Sequence, residues 1–292
     1  MNFVGCVLQN ENIRKVRINK RDVVDQIRVA LWYSHIEHGL HVHLTSHIAR
    51  IVEPDKIRVV NGGVTDNDRK WRNYKNGLNV PHPKLIDKAE AAVQGSSLII
   101  NHVLWQAMKN SINLDLLLKD GIGKLSWEVQ RILYKPNKYN CDRKLVESLS
   151  PRKLIQLERL ASLDALAALV IFYRMGVEDN SSIVDISRAI YRTLLIICMK
   201  KPFSNFSESL ILLMHSQVFY LVDPKESILG DSFKEDFLMD LQILITQFSK
   251  MDSEKLVTNT WKKDVRISSE FLEMVRFHNL FKESTIMTVG AI

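Results

Sequence analysis

The chain has 292 residues, of which 46% are hydrophobic and 25% charged, and a net charge of +7 at neutral pH. That composition is ordinary for a globular protein, and the length suffices to bury a core in one large domain or two of usual size, without disulfides or metal staples. No run of about 18 apolar residues occurs and the start lacks a basic n-region, so neither a transmembrane helix nor a secretion signal is expected.

The three cysteines, Cys6, Cys141 and Cys198, are far apart and lack CxxC spacing, which fits a reduced, cytoplasmic compartment. Charge is unevenly spread. Residues 1–150 hold 23 Lys and Arg against 15 Asp and Glu, a surplus of +8, whereas 151–292 hold 17 against 18, or −1. A basic half facing a polyanion and a neutral half is one reading, and a solvated basic surface is the other.

Residues 1–19 have no clear period. From Lys20 onward Val23, Val24, Ile27, Ala30 and Leu31 recur at helical spacing, and Gly39 is expected to end that helix. Thr45 to Val52 reads as a short helix closed before Pro54. In 55–65 β-branched residues flank Asn61-Gly62-Gly63, which predicts a small hairpin. Asp66 to Asn76 reads as a helix stopping at Gly77. Pro81 and Pro83 open another helix running to about Val93, and further helices are expected at 96–108, 114–119 and 127–134. A boundary is expected at 136–150, where Pro136, Asn137, Asn140 and Ser148 to Pro151 collect. Ser150-Pro151 begins a long helix toward Met175. Helices at 182–200, 205–222, 232–250 and 266–283 follow, with Asp223-Pro224 and Gly230 between them. No fixed-period repeat is visible.

Within 66–81 Lys and Arg at 69, 70, 72 and 75 interleave with Trp71 and Tyr74. Trp71 and Tyr74 are three apart and share a helix face, the expected core face. The opposite face then presents Arg69, Arg72, Asn73 and Asn76, with Lys70 and Lys75 at its edges. Arg and Asn are the types that read base edges, and Lys and Arg neutralise phosphates.

This stretch resembles the lambda-repressor-like (Cro-type) helix-turn-helix family, whose recognition helix ends in an aromatic residue, two residues, Gly, three residues and Pro. Tyr74, Gly77 and Pro81 match that spacing, Trp71 takes the apolar position one turn earlier, and Leu85, Ile86 and Ala89 resemble the following helix. The resemblance covers about 66–90. It implies a non-enzymatic nucleic-acid-binding protein, DNA favoured, with Arg69, Lys70, Arg72, Asn73, Lys75 and Asn76 at the interface. The chain departs from the family in the hairpin-like insert that separates the candidate first helix, 44–52, from residue 66. It also departs in Asp66 and Asp68, which cap the helix but repel a phosphate.

His35, His38, His41, His43 and His47 fall within thirteen residues. His43 and His47 have the spacing that can place two imidazoles on one helix face for zinc. Without HExxH, and with no cysteine nearby, no metal site and no cofactor are expected. Arg28 and His35 resemble the Arg-x6-His signature of HEPN ribonucleases, with Val29 where that family carries a polar residue; the resemblance implies His35 as general acid or base and Arg28 as phosphate clamp. Gly62-Gly63 lacks the GK[ST] ending of a phosphate loop, and no G-x-S-x-G elbow occurs. Trp261 with Lys262 and Lys263 reads as a loop-edge anchor.

The expected architecture is all-α and multi-helical. A basic region over 1–140 carries the helix-turn-helix-like corner and hairpin insert, and a near-neutral bundle over 150–292 serves self-association or a protein partner. The favoured function is a nucleic-acid-binding regulator or the recognition subunit of a larger complex. An assembly subunit without nucleic-acid contact and a HEPN-like ribonuclease remain as alternatives.

Overall fold

The computed structural model describes residues 22–60, 63–65, 68–135, 143–178, 183–221, 233–250 and 275. Cys6, Cys141, the stretch 223–232 and Trp261 to Lys263 lie outside them, as does, Val275 apart, the helix expected at 266–283. The described residues are all-α and multi-helical, with two short antiparallel strand pairs. They gather into two compact units. One comprises the chain up to Trp105 together with Lys201–Leu213; the other comprises Gln106–Lys200 and the chain from Met214. Of the stretch 136–150, the described residues 143–150 belong to the second unit.

The first unit is organised on α1 (Val23–Leu40), which Asp22 starts by accepting the Val24 N–H at 2.9 Å. Its buried residues, Val24, Val29 to Ser34 and Ile36, cover more than one face, the mark of a helix wrapped by neighbours rather than laid on a surface. α2 (Thr45–Val52), α3 (Asp68–Lys75) and α5 (Ser96–Ile100) pack on it, and α4 (Pro83–Ala92) packs on α2 and α5. Between α2 and α3 a 3₁₀ turn (Pro54–Lys56) leads into β1 (Arg58–Val60) and β2 (Gly63–Thr65), paired Arg58 to Thr65. The hairpin expected from Asn-Gly-Gly is therefore present.

Gly39 does not end α1. The left-handed cap falls on His41, at φ 54°, and a side chain at 39 would bring Cβ to 2.5 Å from Val93 Cγ1. Gly39 thus serves a close approach within the unit. The helix expected over 96–108 is two short ones, α5 and α6 (Val103–Ala107), parted at Asn101 and His102. Glu90 starts α5 from the preceding helix: its carboxylate accepts the N–H groups of Gly95 at 2.8 Å and Ser97 at 2.7 Å.

In the second unit α7 (Leu114–Leu116) runs into a π turn (Leu117–Gly121) and a 3₁₀ turn (Ile122–Lys124). α8 (Trp127–Leu133), β3 (Tyr134–Lys135) and β4 (Lys144–Leu145) follow. The long helix expected from Pro151 is two: α9 (Pro151–Leu160) and α10 (Leu163–Glu178). Ala161 takes the left-handed conformation at φ 40°, its N–H reaching the carbonyls of Leu157 and Glu158, and Ser162 Oγ accepts the Ala165 N–H at 3.1 Å to begin α10. α11 (Val184–Cys198) packs on α9 and α10, and α13 (Phe233–Lys250) packs on α11. The chain passes from the first unit back to the second within α12 (Ser207–Gln217). No helix among the described residues is long and apolar enough to cross a membrane.

α10 is apolar nearly all round, and one cation lies in it. Arg174, 7% exposed, donates Nη1 to the carbonyls of Ala107 at 3.1 Å and Lys109 at 3.3 Å, and Nη2 to that of Ile112 at 2.7 Å. Burial pulls its pKa down and the charge of Glu178 opposes that. The guanidinium holds the irregular 107–112 segment, whose carbonyls would otherwise lose water without a donor. Replacing Arg174 with Met strands three acceptors, each worth about 1–3 kcal/mol when left unpaired. Arg174→Met is expected to lower unfolding stability by about 3 kcal/mol, read as a lower urea midpoint at unchanged slope.

Candidate nucleic-acid interface

The candidate helix is α3. Trp71 is fully buried and Tyr74 nearly so, while Arg69 and Arg72 are exposed, the division of faces that the aromatic spacing predicts. The buried face enters a four-ring cluster. The indoles of Trp32 and Trp71 stack at 5.9 Å and 16°, and the Tyr74 ring stands edge-on to both at 5.7 Å. Tyr33 leans on Trp71 at 6.4 Å. Each such pair adds about 0.5–1.5 kcal/mol beyond the area buried. Burial, with the charge of Glu53 behind it, pushes the Tyr74 phenol up to about 12, so it stays neutral.

Glu53, just after α2, fixes the rotation of α3. Its side chain is 6% exposed, and it accepts Lys70 Nζ at 2.9 and 3.0 Å and Trp71 Nε1 at 3.1 Å. At the other end Thr45 Oγ1 donates to the Asp68 carboxylate, linking the first residues of α2 and α3. Gly77 follows α3 at φ +66°, and a Cβ there would lie 2.3 Å from the Gln26 carbonyl oxygen. Only glycine meets both demands at that corner.

The six predicted interface residues separate into distinct roles. Arg69 is exposed and, among the described residues, has no carboxylate partner. Arg72 pairs with Asp68 at 2.8 Å while 62% exposed. Asn76 is exposed and Asn73 half-buried, its carbonyl accepting the Leu78 N–H. Lys75 stands 3.6 Å from Glu37 and 5.7 Å from the centre of the Tyr33 ring. Lys70 is held inward by Glu53. Arg69, Arg72, Asn73 and Asn76 thus share the outer face, and Glu53 is the member of the arrangement that spacing within α3 gave no means to find. The charge surplus is also more local than halves of the chain suggest. Residues 22–105 hold ten Lys and Arg against nine Asp and Glu, while 1–21 hold five against one.

Of the five histidines, His38 and His41 meet edge-on with ring centres 6.0 Å apart. His43 precedes α2, behind the extended Leu44, so its spacing to His47 is not helical. Among the described residues no group of three or more His, Cys, Asp or Glu is placed to hold a metal. Arg28 and His35 both lie on α1, seven residues and hence about 10 Å apart along its axis. Arg28 pairs with Asp25 at 3.0 Å, and His35 Nε2 lies 3.5 Å from the Gln94 carbonyl.

Two outcomes are expected here. Glu53→Ala leaves the Lys70 ammonium and the Trp71 N–H without their acceptor. Because Lys70 is 37% exposed and water relieves part of the loss, the expected cost is about 2 kcal/mol rather than the roughly 3–5 of a fully buried pair, seen in denaturant unfolding. For His35, burial lowers the pKa below the ordinary 6.5. Below that pH the unfolded chain binds more protons than the folded one, so this contribution to stability is whole above about 6.5 and falls as pH drops toward the folded-state value. His35→Gln is expected to flatten the stability–pH curve in that window.

No protein-family model, curated protein or solved structure matches this chain.

Proposed function

We propose that the protein is a non-enzymatic nucleic-acid-binding protein, with DNA the favoured ligand, acting as a regulator or as the recognition subunit of a larger complex. The outer face of α3 meets the nucleic acid. The observation that carries the reading is the anchoring of α3: an eight-residue helix clamped through Glu53, Trp71 and Tyr74 turns Arg69, Arg72 and Asn73 outward together, with exposed Asn76 in the turn just past its end. A helix held this rigidly can enter a major groove with little further ordering cost. The Arg72–Asp68 pair is exposed, and such pairs are worth only about 0–1 kcal/mol, so a phosphate can displace Asp68 from the guanidinium. Leu85, Ile86 and Ala89, all buried in α4, give the corner the apolar backing that the helix-turn-helix resemblance implies. The inserted hairpin sets it apart from a short-turn motif.

The test is duplex binding of the full chain at about 50 mM salt and above, with Arg69→Ala/Arg72→Ala against Lys262→Ala/Lys263→Ala. The first pair is expected to weaken binding and to reduce the magnitude of the salt slope by about 1 for each phosphate no longer neutralised, with unfolding unchanged to within about 0.5 kcal/mol per site. Equal weakening by both pairs would leave net charge as the sole determinant. Absence of any binding would favour the assembly-subunit reading, and RNA cleavage without added metal, abolished by His35→Ala, the ribonuclease reading.

A further inference from the structure

A second cluster of positive charge lies outside α3. Residues 119–153 hold nine Lys and Arg against four Asp and Glu, and the described part of this stretch belongs to the second unit. At its centre Trp127, the first residue of α8, is 50% exposed. The guanidinium carbon of Arg143 sits 4.3 Å from the centre of its ring. Leaving half an indole in water forgoes a large apolar burial, yet the helix beneath is well fixed. Val129 and Leu133 are buried, and Gln130 Nε2 donates to the carbonyls of Gly123 at 3.1 Å and Leu125 at 2.7 Å.

The other cations of this stretch crowd one another. Lys135 on β3 and Lys144 on β4 are directly opposed in the antiparallel register, a like-charge pairing that weakens a strand pair. Glu147 relieves it only in part: it pairs with Lys144 at 2.9 Å while both side chains are largely exposed. Lys153 donates to the Ile132 carbonyl, and burial, with the charge of Lys135 behind it, pulls its pKa below the usual lysine value. Arg131 is exposed one helical turn beyond Trp127. Repulsion of this kind in a two-residue strand pair is relieved when an anion is bound.

We propose that this face of the second unit binds single-stranded nucleic acid, with one unpaired base stacking on the open part of the Trp127 indole and the adjoining phosphates pairing with Arg131, Lys135, Arg143 and Lys144. A stacked ring and a ladder of cations are the two components of sequence-tolerant single-strand binding. An acidic peptide without aromatic residues would satisfy the lysines but has no flat ring to cover the indole. The site uses none of the α3 residues and stands whether or not α3 touches a duplex.

The test is fluorescence anisotropy of a labelled twelve-nucleotide oligothymidylate with the full chain at about 50 mM salt, with polyglutamate of equal charge as comparison. The wild-type chain is expected to bind the oligonucleotide at least about tenfold tighter than polyglutamate. Trp127→Ala weakens oligonucleotide binding by about tenfold, Trp127→Phe stays within about threefold of wild type, and neither alters polyglutamate binding. Lys135→Gln/Lys144→Gln, at exposed positions and removing a repulsion, keeps the test open should Trp127→Ala not fold. It is expected to weaken affinity at least tenfold and to lower the magnitude of the salt slope by about 1.4, for two phosphates no longer neutralised. Wild-type affinity in Trp127→Ala or in the double lysine variant, polyglutamate bound as tightly as the oligonucleotide, or no binding by the wild-type chain would each overturn the proposal.

Discussion

The first unit depends on one buried carboxylate. Glu53 takes a charged and a neutral donor from consecutive residues of α3, Lys70 and Trp71, and so fixes both the height and the rotation of that helix. Rotation matters because the helix is short and its two faces have opposite destinies. A turn of about 100°, one residue's worth, would carry an arginine toward the aromatic cluster and an indole into water. Ring packing alone resists this less specifically, since aromatic pairs tolerate a range of angles. Within the cluster, Trp32 Nε1 and the Tyr33 hydroxyl are buried without a hydrogen-bond partner among the described residues, an arrangement that costs about 1–3 kcal/mol for each group left unpaired. Ring burial must outweigh that cost for the native arrangement to persist.

Much of the helical text was legible because its signals are local. The period of Trp71 and Tyr74, the β-branched residues around Asn-Gly-Gly, and the Ser-Pro start at 150 and 151 each act within a few residues. The features that sequence does not reveal turn on neighbours distant in the chain or on subtle caps. Gly39 carries the signature of a helix stop, but its role is set by Val93 across the unit. The break at Ala161 has no glycine or proline to announce it; the left-handed alanine and the Ser162 cap are visible only in the fold. The outward residues of α3 follow from its period, whereas the tie between Lys70 and a carboxylate seventeen residues earlier does not.

Charge shows the same limit. Halving the chain gives a basic first part, but pairing redistributes its meaning. Lys70, Arg72 and Lys75 each stand against a carboxylate, so α3 offers shape and hydrogen-bonding groups more than raw potential. Around Trp127 the balance is reversed: cations outnumber acids and two lysines face each other across a strand pair.

The two tight glycines have different evolutionary futures. At position 39 the obstacle is the side chain of Val93, which is itself replaceable; a lineage that trims 93 to alanine opens 39 to substitution, so the two positions are expected to vary together. At position 77 the obstacle is the Gln26 carbonyl, part of the main chain of α1, and no exchange of side chains removes it. Residue 77 is accordingly expected to stay glycine in every descendant that keeps α3 docked on α1, whatever sequence its outer face comes to carry.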